Sequence, residues 1–188
     1  MQIQQLCSVL SPAKDYSVKR RMFLFALVLL LIAPAGCLDG KVKKDFVLGR
    51  DFQPAVYSNL AVVNLDQKIQ FAQYVEAELL RKGYQVKDAG TVSQWLKKEG
   101  MGKEGSLDLQ SLKKIGDLLQ VQGIVLCAVP EFSRFRDSYR LSIKCVAPET
   151  GDTLWYAEGS KEGKKGQKSG DLLKEIVASA LSPLPRLR

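Results

Sequence analysis

Four cysteines and no histidine set the limits of the chemistry open to this chain. Without histidine there is no Ser-His or Cys-His nucleophile, no His-ligated metal site and no side chain that ordinarily titrates near neutrality. Carboxylate pairs or a lysine remain as acid–base groups, and no such pair stands out in the spacing. The expectation is a protein that is not an enzyme, with no cofactor and no metal. Two of the cysteines, Cys127 and Cys145, fall on consecutive strand-like runs. A hairpin turning near Arg136 would set them opposite each other, as a candidate disulfide or as two small buried thiols. Directly opposed cysteines fit bridge geometry poorly, which favours the thiols.

The third, Cys37, has the most specific surroundings. Lys19, Arg20 and Arg21 precede an unbroken apolar run over residues 22–32, and the run ends in Ala33-Pro34-Ala35-Gly36-Cys37. A basic segment, a short apolar segment and small residues make a secretory leader, and the run is shorter than the ~20 residues that span a bilayer. Pro34-Ala35-Gly36-Cys37 resembles the lipobox of bacterial lipoproteins, although that pattern favours an aliphatic residue where Pro34 stands. The resemblance implies that Cys37 is lipidated and becomes the first residue of the mature chain. It implies a membrane partner through the lipid, since two or more acyl chains anchor stably where one does not. Residues 1–36 are therefore read as a lipoprotein-type signal peptide, residues 37–51 as a polar tether, and residues 52–188 as one domain.

A second group of residues suits recognition. Phe132, Phe135 and Tyr139 are interleaved with Arg134, Arg136 and Arg140, and aromatic and arginine side chains are favoured at binding hot spots. They form a candidate partner-binding loop, or a solvated hairpin tip rimmed by arginines. The chain carries +8, of which Lys14, Lys19, Arg20 and Arg21 against Asp15 belong to the leader, leaving about +5 for the remainder. The excess includes a lysine-rich run over residues 161–168 and fits an anionic neighbour such as a phospholipid or cell-wall surface. No nucleic-acid recognition motif accompanies it.

The elements that must position these residues follow from periodicity. Residues 59–65 read as a buried strand. Asp66 is placed to cap a helix with Ile69, Ala72, Val75, Leu79 and Leu80 on one face, ended by Gly83. Residues 84–89 alternate like a half-exposed strand, and Thr91 opens a short helix carrying Val92, Trp95 and Leu96. Asp108 caps a third helix whose stripe is Leu109, Leu112, Ile115, Leu118 and Leu119, ended at Gln122-Gly123. Residues 124–132, 139–147 and 153–159 read as three strands in a meander, the second turn closed by Pro148 and Gly151. A last helix buries Leu172, Leu173, Ile176, Val177 and Ala180. The order β-α-β-α-α-β-β-β-α describes an α/β sandwich of two or three layers with a mixed sheet.

Together these runs resemble a family of bacterial envelope lipoproteins that includes the curli secretion component CsgG and the peptidoglycan-synthase activator LpoB, with a fold also like the N-terminal domain of TolB. The resemblance rests on residues 60–65, on Leu79-Leu80-Arg81-Lys82-Gly83-Tyr84, on the step from Ile115-Gly116 to Gly123-Ile124-Val125, and on Thr150-Gly151-Asp152-Thr153-Leu154-Trp155. It implies a non-catalytic envelope protein and names no particular envelope partner; homo-oligomers stay open, although the chain lacks the pair of long amphipathic strand inserts that build a curli-like pore. Leu38 after Cys37 favours the periplasmic face of the outer membrane under the sorting rule of some bacteria. A subunit of an oligomeric secretion complex and a small wall- or lipid-acting hydrolase are the competing functions. The hydrolase would need convergent carboxylates with raised pKa.

Overall fold

Both faces of residues 59–64 and 123–127 are apolar, and such strands are stable only with a layer packed on each side. The computed structural model, which describes residues 40–66, 69–99, 107–133 and 137–187, has that arrangement. Its elements are β1 (Lys43–Leu48), β2 (Asn59–Asn64), α1 (Ala72–Arg81), β3 (Gln85–Lys87), α2 (Ala89–Lys98), α3 (Leu109–Leu119), β4 (Gly123–Ser133), β5 (Ser138–Val146), β6 (Thr153–Glu162) and α4 (Ser169–Ala180). The strands form one sheet in the order β1-β6-β5-β4-β2-β3. β2 runs parallel to β3 and β4, and the remaining pairs are antiparallel. Alternate residues feed opposite cores. Leu60, Val62, Val125, Cys127 and Ile143 pack with α1 and α4. Ala61, Val63, Ile124 and Val146 pack with α2 and α3. The mixed-sheet α/β sandwich expected from periodicity is thus present, with three layers.

The N-terminal stretch differs from expectation. Residues 43–48, placed within a tether, are the edge strand β1, which pairs along β6 from Lys43 with Ser160 to Leu48 with Trp155. The charged Lys43-Lys44-Asp45 start disguises it, as edge strands carry charge to discourage further pairing. Phe46 holds it down by stacking on Trp155, with ring centroids 6.5 Å apart. Asp45 blunts the free edge, its carboxylate accepting the Phe46 N–H at 2.9 Å.

Helix ends follow local chemistry. Asp108 caps α3 as expected, accepting the Ser111 N–H at 2.8 Å. Asp88 rather than Thr91 starts α2, accepting both the Thr91 N–H and its hydroxyl. Asp66 accepts the Ile69 N–H, and α1 begins only after Phe71, which caps it with no side-chain bond. In α3 the inward arc is Leu112, Ile115 and Gly116, while Leu109 and Leu118 stay exposed. Gly116 lies against Pro148, where a Cβ would come within 2.6 Å of the ring. The left-handed residue ending α3 is Gln120, not Gly123. Gly123 opens β4 because a Cβ there would stand 2.7 Å from Leu60 and 3.1 Å from the Cys145 sulfur. Gly151, at φ +76°, closes the β5–β6 turn as expected.

The chain's last residues are fastened to α1 and β3. The Lys82 ammonium, 6% exposed, donates to the carbonyls of Leu184 (2.8 Å) and Ser182 (3.3 Å). The Leu187 N–H returns a bond to the Lys82 carbonyl, and the Tyr84 hydroxyl donates to the Pro185 carbonyl at 3.1 Å. Desolvation lowers the Lys82 pKa. Burial, with the nearby Cys145, pushes Tyr84 up to about 12. A phenol favoured in its neutral form adds stability that is complete below its unfolded pKa near 10 and is lost as pH rises towards 12. The native chain is therefore expected to destabilise across that interval more than Tyr84→Phe. Tyrosinate absorbance should show one late-titrating group that the variant lacks; a Tyr84 titrating at its ordinary value would refute this.

Candidate functional site

β4 and β5 outrun β2, whose pairing with β4 stops at Asn64 opposite Cys127, while β6 follows β5 to Glu162 opposite Ser138. Pro130 has no N–H to give the ladder, and the strand bulges between Ala128 and Glu131. Beyond the bulge Phe132 faces Tyr139, and their rings stack with centroids 4.8 Å apart. Tyr139 is sealed in the core and Phe132 remains 40% exposed. The structure therefore joins two residues of the expected recognition loop; Arg134, Phe135 and Arg136 lie outside the described residues, as does Cys37.

On the other face, α2 and α3 cover β2 and β4, leaving β5 and β6 to present Arg140, Ser142, Lys144, Tyr156, Glu158 and Ser160, all at least partly exposed. Three of them are bonded into a network. The Tyr156 hydroxyl donates to one Glu158 oxygen at 2.7 Å, and Arg140 Nε donates to the other at 2.6 Å. The Arg140 guanidinium also lies 3.8 Å from Glu131. The Tyr156 hydrogen bond, with Arg140, holds the Glu158 carboxyl below its usual range, and the same bond raises Tyr156. Arg140 was legible as a recognition-loop arginine, but its bonding to Glu158 and Tyr156 was not; the signal for that was the alternation of Tyr156, Glu158 and Ser160 with buried residues.

Among the described residues, two of the cavities lie at opposite ends of the sheet. One, of 540 Å³, opens at the hairpin end between Gly40, Lys41, Lys43, Tyr139, Arg140 and Lys161. Lys161 is buried and paired with Glu175. The other, of 420 Å³ at the opposite end, is lined by Phe52, Val56, Tyr57, Val121, Pro148 and Leu154, with Phe52 stacked on Tyr57 at 5.9 Å. Among the described residues no group of three or more side chains is placed to hold a metal ion. The carboxylates there whose pKa is shifted, Asp88, Glu99, Asp108 and Glu158, are all shifted down. These surfaces offer ion pairs, hydrogen bonds and aromatic contacts.

The opposed-cysteine expectation is corrected. Cys127 faces Ile143 and Cys145 faces Val125, because the hairpin closes between Ser133 and Ser138 and the bulge shifts the ladder below it. Both are free, buried thiols, and burial pushes their pKa up, away from the reactive thiolate.

No family model matches this sequence, and no curated protein matches it. Solved structures do. A single-residue variant of PelC from Paraburkholderia phytofirmans, a dodecamer, superposes with a TM-score of 0.55 at 14% identity, over 78% of this chain and 100% of that one. Lipoprotein GNA1162 from Neisseria meningitidis superposes with a TM-score of 0.51 at 18% identity, over 68% of this chain and 96% of that one. The LpoB C-terminal domain from Salmonella enterica matches at 0.41 and 13% identity, over 57% and 84%, a likeness too loose to carry an argument. At these identities the likeness is one of fold, and the fold is one that a bacterial lipoprotein uses.

Proposed function

We propose that this chain is a non-catalytic protein of the bacterial envelope, lipid-anchored through Cys37 at the periplasmic face of the outer membrane, where it binds another envelope protein and supports assembly or transport. The carrying observation is that a domain with the fold of the neisserial lipoprotein begins just after a cysteine preceded by a basic, apolar and small-residue leader. The Arg140–Glu158–Tyr156 face supplies the partner-binding surface in this reading. The test is Cys37→Ser. The native protein is expected to incorporate labelled palmitate and stay with membranes, and the variant to lose the label and leave the membrane fraction. Equal labelling of the two, or unchanged membrane retention of the variant, would remove the anchor.

A homo-oligomeric assembly is the second reading, favoured by the dodecameric PelC that this fold matches along its whole length. Native mass measurement of the detergent-solubilised protein should then give a defined multimer; a monomer at all concentrations would reject it.

A further inference from the structure

Resting on the Cys37 anchor proposed above, we propose that the hairpin end of the sheet is a bilayer-facing surface that binds the phosphate groups of anionic phospholipids. The first argument is reach. Two residues, Leu38 and Asp39, separate Cys37 from Gly40, and the three steps from one to the other span about 10 Å at full extension. By Lys43 the chain is already paired in the sheet. A lipid on Cys37 therefore leaves the domain no tether, and the bilayer surface lies against whatever surrounds Gly40.

The topology defines those surroundings. β1 starts here, β6 ends here opposite the start of β5, and the β4–β5 hairpin turns here. The Gly163 N–H bonds the Asp137 carbonyl, bringing the loop before α4 to the same end. Charge is the second argument. Lys41, Lys43, Lys164, Lys165 and Lys168 are all exposed on these segments, against Asp137 and Glu162, while Arg140 is held by Glu158 and Glu131. The cavity beside Gly40 is open between Lys41 and Lys43, with Glu131 and Glu162 also in its lining. Phe132, exposed at the hairpin, suits the headgroup boundary, where aromatic side chains collect. Each basic residue close to an anionic surface shifts partitioning roughly fivefold, so a few such residues set the domain's orientation.

The test places the full-length lipidated protein, purified from membranes in detergent, in vesicles of phosphatidylcholine alone and of phosphatidylcholine with phosphatidylglycerol. Lysine acylation is then mapped by mass spectrometry. Lys41, Lys43 and Lys165 are expected to react about tenfold more slowly on the phosphatidylglycerol vesicles. Lys97, Lys98 and Lys113, on α2 and α3, should react equally on both. Salt near 1 M, which shortens the screening length to ~3 Å, should remove the difference. The variant K41Q/K43Q/K165Q should lose the protection of Lys168. Protein that floats with both vesicles yet shows equal acylation overturns the lipid-facing surface and leaves the anchor standing. Protection of equal size on neutral vesicles overturns the role of charge. Protein that carries no acyl chain and floats with neither vesicle overturns the anchor, and this inference with it.

Discussion

Trp155→Ala is expected to remove about 3–5 kcal/mol of folding stability, a large share of the 5–15 kcal/mol available to a typical domain. Trp155 is the largest fully buried side chain among the described residues. It sits on β6 opposite Cys145 and Leu48, and it stacks on Phe46. Truncation leaves a cavity between the sheet and the helices behind it and takes away the ring that holds the edge strand. Trp155→Phe should cost much less. The indole N–H is buried with no hydrogen-bond partner among the described residues, and an orphaned donor costs ~1–3 kcal/mol, so its removal offsets part of the lost contact area. Urea unfolding followed by far-ultraviolet circular dichroism separates the cases. A Trp155→Phe loss equal to that of Trp155→Ala would mean that the indole nitrogen is satisfied in solution.

Gly159→Val is the second large effect, from overfilling rather than emptying. A Cβ at Gly159 would stand 2.7 Å from Ile176 Cγ2, 3.2 Å from Ala180 Cβ and 3.3 Å from the Ile176 carbonyl oxygen. The side-chain methyl groups could move, but the backbone oxygen belongs to α4 and moves only with the helix. Overpacking of this kind costs typically 1–3 kcal/mol, and a branched side chain belongs at the upper end. Ile176→Ala alone should cost about 2–5 kcal/mol through its cavity. The double variant should lose clearly less than the two losses together, because each change relieves the other. Additive losses would place the clash elsewhere.

These two sites show what was legible in the sequence. Trp155 and the α4 stripe through Ile176 were readable because both obey simple periods, 2 on the strand and 3.6 on the helix. The Gly151 turn and the Asp108 cap were readable from local chemistry alone. β1 was not, because an edge strand opening Lys-Lys-Asp has the composition of a linker; only its partner β6, far along the chain, makes it a strand. The cysteine register was missed for a related reason. A hairpin centre guessed from turn residues carries no information about a bulge, and Pro130 displaces every pair beyond it. The network of Arg140, Tyr156 and Glu158 exists only once β5 and β6 are in register, so no single segment announces it. The α3 stripe was half right, since periodicity marks an apolar arc while the contact of Gly116 with Pro148 selects which part of it turns inward.

The pairing of β1 with β6 also has a consequence for the order of folding. Lys43 meets Ser160, so the first strand of the domain waits for one of the last to be synthesised. Closing so long a loop is entropically costly until β4, β5 and β6 have formed their meander, and contacts of high sequence separation slow folding. During synthesis or transport of the chain, β1 remains an unstructured leading segment and the domain stays open, its helices lacking the completed sheet on which to pack. The element nearest Cys37 is thus fixed in place only once β6 has formed. Contacts made by Phe46 should accordingly contribute little to the folding transition state and much to the rate at which the finished domain comes apart.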